Sequence, residues 1–182
     1  MAEAFFQATA CTMDTPKPYG AFHLVLTVLG VSLSIFLARK FSFPERKAGP
    51  DTILFLCGLF LGLTELYKQG FIYYIENGRT YDWWYFPFQL CSVPMYLGLF
   101  IPMVPARIRN VFYLFIQDFG LLGGIMALAE PSGLMHPYWT MTVHGFLWHF
   151  NLIFMGLICA FYNLKTETPK SYLHTIPLFL FC

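Results

Sequence analysis

Charge is what this sequence has least of. Lysine, arginine, aspartate and glutamate make up 12% of its 182 residues. A soluble domain carries roughly 25% and needs them to cover its surface. The deficit, beside 57% hydrophobic and 20% aromatic residues, excludes an ordinary water-soluble globule and points to a polytopic membrane protein. Long basic runs are absent and the net charge is +1, so nucleic acid is not an expected partner. Regularly spaced cysteines are missing as well. Cys11, Cys57, Cys91, Cys159 and Cys182 form an odd, scattered set without a CxxC or a histidine-rich cluster. That argues against a disulfide framework and a zinc site, and no metal or other cofactor is expected. Residues 1–19 lack the basic segment that precedes a cleavable signal, so the first apolar run reads as a permanent span.

A membrane-crossing helix needs about 20 largely apolar residues. Five runs qualify, at roughly 20–38, 52–74, 84–104, 110–129 and 139–162, and a sixth starts near residue 172 and stops too soon to cross. The expected fold is an all-α transmembrane bundle of five complete spans and a partial sixth. Residues 1–182 would form one transmembrane domain truncated at its C-terminus. Arg39, Lys40, Arg46, Lys47, Arg107, Arg109, Lys165 and Lys170 fall in loops on one side, eight of eleven basic residues. The positive-inside rule makes that side cytoplasmic and the N-terminus external, as expected of a multi-pass protein of the plasma membrane.

Ionisable groups inside a span are rare and raise a functional question by default. Here they share a depth. His23 in span 1, Glu65, Lys68 and Gln69 in span 2, Gln89, Cys91 and Ser92 in span 3, Asp118 in span 4, and His144 and His149 in span 5 fall largely between the outer interface and the midplane. Such a layer suggests a cavity opening outward. Glu65, Lys68 and Gln69 are spaced i, i+3, i+4 and share one face, so Glu65 and Lys68 can pair. Tyr85, Gln89, Ser92 and Tyr96 would form a stripe on a continuous helix, with Cys91 about 200° from Gln89. Pro94 would bend that helix. His144 and His149 sit on different faces of span 5, which suggests either that one is structural or that the helix is central. Gly120 and Gly124 read as a close helix–helix contact.

Each residue also has a structural reading. Glu65 with Lys68 can be a packing ion pair, Asp118 needs a partner across the bundle or a proton, and Cys91 can be a small core thiol. The candidate substrate-binding set is Glu65, Gln69, Gln89, Ser92, Asp118 and His144.

The motifs FHL, ELYKQ, PFQLC and HGFLWHFNLIFMGL together resemble the YwaF-like integral membrane proteins, which belong with the wider transmembrane-protein-164 family. The resemblance runs from about residue 20 to 165. It implies, from the vertebrate branch, a lipid acyltransferase with a cysteine in the third span and a histidine in a later one. The implied histidine is His149. The vertebrate cysteine position is Phe88 here, whereas Cys91 corresponds to the cysteine ending the bacterial pattern and Gln89 replaces that pattern's histidine. The expected activity is acyl transfer or hydrolysis on membrane lipid, with His149 as base and Cys91 or Ser92 as nucleophile. A small-solute or proton-coupled transporter, or a solute-binding membrane subunit, is the alternative, and a scaffold the third reading. Membrane lipid is the expected partner, with a small-molecule substrate under the second reading; oligomeric state has no sequence signal.

Overall fold

A computed structural model describes residues 1–42, 50–163 and 173–181. Arg46, Lys47, Lys165 and Lys170, used in the orientation argument, lie outside them. The elements are α1 (Ala2–Thr9), α2 (Ala21–Phe41), α3 (Pro50–Phe71), α4 (Val93–Phe100), α5 (Ala106–Phe115), α6 (Leu121–Ala129), α7 (Trp139–Asn163) and α8 (Ile176–Phe181). Among the described residues, four helices are long and apolar enough to cross a membrane: Ala21–Phe41, Pro50–Glu76, Ile108–Ala129 and Trp139–Tyr162. The third includes α5, a π-helical turn at Ile116–Gly120 and α6 as one rod. The chain is a multi-pass helical membrane protein.

The third expected span differs. Its helical part, Leu90–Met103, is shorter than a full crossing, and the residues before it are a 3₁₀ turn at Trp83–Tyr85 followed by extended backbone at Phe86 and Gln89. Proline explains the shortfall. Pro87 forces Phe86 out of helical geometry and supplies no N–H of its own. Pro94 lies in the first turn of α4, where the lost N–H has no helical partner to miss. It therefore starts a helix and does not kink one. Tyr85 and Gln89 precede that helix, so they do not share a helical stripe with Ser92 and Tyr96.

Close approach of backbones holds the bundle, as expected where lipid supplies little hydrophobic drive between helices. Gly58 of α3 and Gly98 of α4 meet at the crossing: a Cβ on Gly58 would stand 2.7 Å from the Leu99 nitrogen. Gly124 of α6 packs on α7, where a Cβ would come within 2.9 Å of the His149 carbonyl oxygen, and Gly120 faces the Leu152 carbonyl oxygen. The expected glycine contact is thus made to α7. That helix is central. Ser34 of α2 donates to the Phe150 carbonyl at 3.2 Å, and Asn151 donates to the Cys57 carbonyl of α3 at 3.2 Å.

The N-terminal segment caps the end of the bundle called outer here. Phe6 lies on Gly70 and stacks on Tyr74, and Tyr67 donates to the Thr9 hydroxyl at 2.7 Å. Farther along, Met13 N–H donates to the Pro137 carbonyl and Trp139 N–H to the Cys11 carbonyl. The segment is thereby tied to the loop between α6 and α7. At the opposite end, Asp51 accepts from Arg109 at 2.5 Å and from Tyr113, clamping the start of α3 to α5.

The glycine crossing is testable. Gly58→Ala should lower stability by about 1–3 kcal/mol, the cost of overpacking against groups that cannot yield. Gly62→Ala, whose Cβ would meet only the Leu99 methyl at 3.6 Å, should be neutral or slightly stabilising. Thermal unfolding of the two variants in the same detergent micelle measures the difference.

Candidate functional site

At the outer end the short third element leaves room. A cavity of about 540 Å³ lies between residues 84–92, the outer half of α6, the outer half of α7 and the end of α3. Non-helical backbone at this depth is tolerated only where protein or a wet cavity meets its polar groups. Side chains do so here. Gln69 Nε2 donates to the Tyr85 carbonyl at 2.6 Å, and Tyr96 Oη donates to the Pro87 carbonyl at 2.9 Å. Gln89 is the N-cap of the Leu90–Ser92 turn, and its own carbonyl accepts from Ser92 N–H. That turn presents Cys91 to the cavity, against Gly123 of α6. Only a small residue fits opposite: a Cβ on Gly123 would already touch the Cys91 Cβ at 3.5 Å.

From α7 come Met141, His144, Gly145, Trp148 and His149. The two histidines project about 140° apart at 100° per residue, and both line the same cavity. The cavity spans that arc, with Gly145 between them packed against Leu134. A structural role for one of them is therefore not forced by phase. His149 Nδ1 lies 2.7 Å from the Gly145 carbonyl oxygen. A carbonyl only accepts, so Nδ1 carries the proton and, in the neutral ring, Nε2 keeps its lone pair. His144 stacks at a tilt on Trp148, with ring centroids 5.5 Å apart.

Lys68 reaches the cavity wall from α3, its ammonium 5.9 Å from the Trp148 ring centroid and 2.8 Å from Glu65 Oε1. Glu65 itself is buried behind that wall and also accepts from Gln69 Nε2 at 2.7 Å. Glu130 and His136 stand at the mouth. Glu130 is outside the spans, and the Ser132 hydroxyl, which hydrogen-bonds its carboxylate, holds it below the usual carboxylate range, so it is ionised at neutral pH.

Of the residues singled out from sequence, Gln89, Cys91, Ser92, His144 and His149 converge on the cavity. Glu65 and Gln69 support its wall, and Asp118 lies in the π-helical turn beside Gln117, whose amide donates to it at 3.3 Å. None of these three lines the cavity. His23 is buried in α2 against Tyr19 and Phe146. His136, Met141, Trp148 and the small pair Gly123 and Ala127 were missed as lining residues. His136 reads as an ordinary loop residue in sequence, and an i, i+4 small pair on an apolar helix has no polar signature. Among the described residues, no group of three or more His, Cys, Asp and Glu side chains is placed to hold a metal.

Residues 18–182 match the TMEM164 family. The chain belongs to the TMEM164 family. Among curated proteins and among solved structures nothing matches it. The match to the TMEM164 family begins just before α2 and takes in every cavity-lining residue, whereas α1 lies outside it.

The Glu65 network yields a stability test. Glu65→Ala removes the partner of Lys68 and leaves Gln69 only its bond to the Tyr85 carbonyl, and should cost about 1.5–3 kcal/mol, the range for a hydrogen bond to a charged group. Adding Lys68→Ala should recover part of that loss. Melting temperatures of the single and double variants in one detergent decide it, and a double variant less stable than Glu65→Ala would contradict the pairing.

Proposed function

We propose that this TMEM164-family protein is an enzyme of the plasma membrane that transfers or hydrolyses acyl groups of membrane lipid within the outer cavity. The observation carrying this reading is that one thiol, Cys91, and one imidazole with a free Nε2, His149, come from separate elements to the same cavity. A thiol nucleophile needs a base in reach, and the Gly145 carbonyl fixes the tautomer that can serve.

His149 Nε2 takes the Cys91 proton as Sγ bonds to the ester carbonyl carbon of the donor lipid. The C–O bond to the glycerol oxygen breaks, and the imidazolium returns the proton to that leaving oxygen. An acyl thioester remains on Cys91. The hydroxyl of an acceptor lipid, or water, then attacks the thioester carbonyl while His149 takes its proton, and the Cys91 thiolate leaves and is reprotonated. Lys68 supplies positive charge at the wall for an anionic headgroup or the developing oxyanion. Ser92, buried beside Cys91, is the alternative nucleophile. Carriage of a small solute or of protons is a second reading, favoured by Lys68, paired behind the wall with Glu65, and His144 on one cavity.

Both readings meet one experiment on the full chain reconstituted in lipid vesicles. Intact mass should show a hydroxylamine-sensitive acyl adduct, absent in Cys91→Ala. His149→Ala should slow acyl turnover by about 10²–10⁴-fold, the range for loss of a general base. Undiminished turnover in both variants overturns the assignment, and uptake of solute without any adduct would favour the carrier.

A further inference from the structure

Two walls of the outer cavity adjoin exposed apolar surface. On α6 its lining positions are Gly123, Ala127 and, just beyond the helix, Glu130, which fall on one stripe at 100° per residue. To one side of that stripe lie Gly124 and Leu128, buried against α7 and the core beside it. To the other lie Met126 and Leu122, 55% and 49% exposed, facing the bilayer. The stripe therefore runs without a break into the lipid-facing surface. The opposite wall behaves in the same way. Trp84 and Phe86 line the cavity and are 77% and 43% exposed. Among the described residues no helix fills the gap between these walls, because Pro87 keeps the chain extended until the turn at Leu90–Ser92.

We infer that the cavity opens sideways into the bilayer between α6 and residues 84–86, and that this opening takes one hydrocarbon chain of a membrane lipid. Its occupant follows from its surroundings. The stripe presents only the Ala127 methyl before it ends where Gly123 packs on Cys91, and the facing wall is aromatic. The medium against it is hydrocarbon at one edge and the polar mouth with Glu130 at the other. An amphiphile lying along the stripe would keep its headgroup near the mouth and its chain in the bilayer. The inference rests on the proposed function only for what the ester of that lipid meets inside, Cys91 and His149.

The test is photolabelling of the full chain in dioleoyl phosphatidylcholine vesicles doped with a phosphatidylcholine that carries a diazirine midway along one chain. Adducts are mapped by peptide mass spectrometry. Met141 and Trp148 line the cavity and are 3% and 5% exposed, so a chain reaches them only by entering. Adducts at these two residues are expected. Ala127→Phe should lower their yield about tenfold, the effect of about 1.4 kcal/mol of overpacking in the channel. Ile125→Phe, on the lipid-facing side, should leave it unchanged. Labelling confined to Leu122, Ile125, Met126 and Trp84 overturns the inference, and so does a yield at Met141 and Trp148 indifferent to Ala127→Phe. The wild-type map alone decides the matter if the Phe variant fails to fold. Labelling needs no turnover, so cavity adducts without a Cys91 thioester would sink the enzymatic reading and leave the opening standing. A thioester without cavity adducts would do the reverse.

Discussion

The carboxylate of Glu65 is the fixed point around which the outer half of this molecule is arranged. It is buried, and a buried charge persists only when paired and hydrogen-bonded. One oxygen receives both the Lys68 ammonium and the Gln69 amide, and the same Gln69 amide reaches on to the Tyr85 carbonyl. One acid thereby sets the direction of Lys68 into the cavity and tethers the non-helical segment that carries Gln89 and Cys91. That is a positioning role at some remove from the cavity.

The same segment shows how an apparent defect becomes a site. A chain crossing lipid normally satisfies its backbone by forming a complete helix. Here residues 86–89 stay out of helix and 90–92 form a single 3₁₀ turn, and the carbonyls of Tyr85 and Pro87 are met by Gln69 from α3 and Tyr96 from α4. The volume a full helix would have filled becomes the cavity. Glycine and alanine on α6 widen it, and the central position of α7 lets both histidines face it. Lipid access and chemistry would then depend on one local shortage of helix.

Much of this was legible before any coordinates. Long apolar runs specify spans because hydrocarbon leaves few alternatives to a helix, and α2, α3, α5–α6 and α7 follow them closely. Rise along a helix is fixed at about 1.5 Å per residue, which groups the polar residues by position along their spans; of that group Lys68, Gln89, Cys91, Ser92, His144 and His149 line the cavity, whereas His23, Glu65, Gln69 and Asp118 do not. Phase arguments succeeded for Glu65, Lys68 and Gln69, which lie on an uninterrupted helix. They failed for Tyr85 and Gln89, which precede the helix, and for Cys91, which lies in its opening 3₁₀ turn and not on a regular α-helix. Pro94 was read as the kink of a long helix, when a proline suits the first turn of a short one equally well.

The sequence by itself determined that this chain is a multi-pass membrane protein and where its long apolar helices run, because these depend on local composition and on the geometry of one helix at a time. It also carried enough of the motif pattern to resemble the family to which the chain belongs. Only the tertiary structure decided which polar groups meet. Cys91 and His149 are brought to one cavity by the packing of α6 on α7 and by the tether from Glu65 through Gln69. Asp118 lies in a π-helical turn away from it, and Gly123 and Ala127 line it without any polar mark in sequence. Contacts between elements depend on which faces pack together, and in lipid those faces are chosen by small residues and buried hydrogen bonds spread across the whole chain.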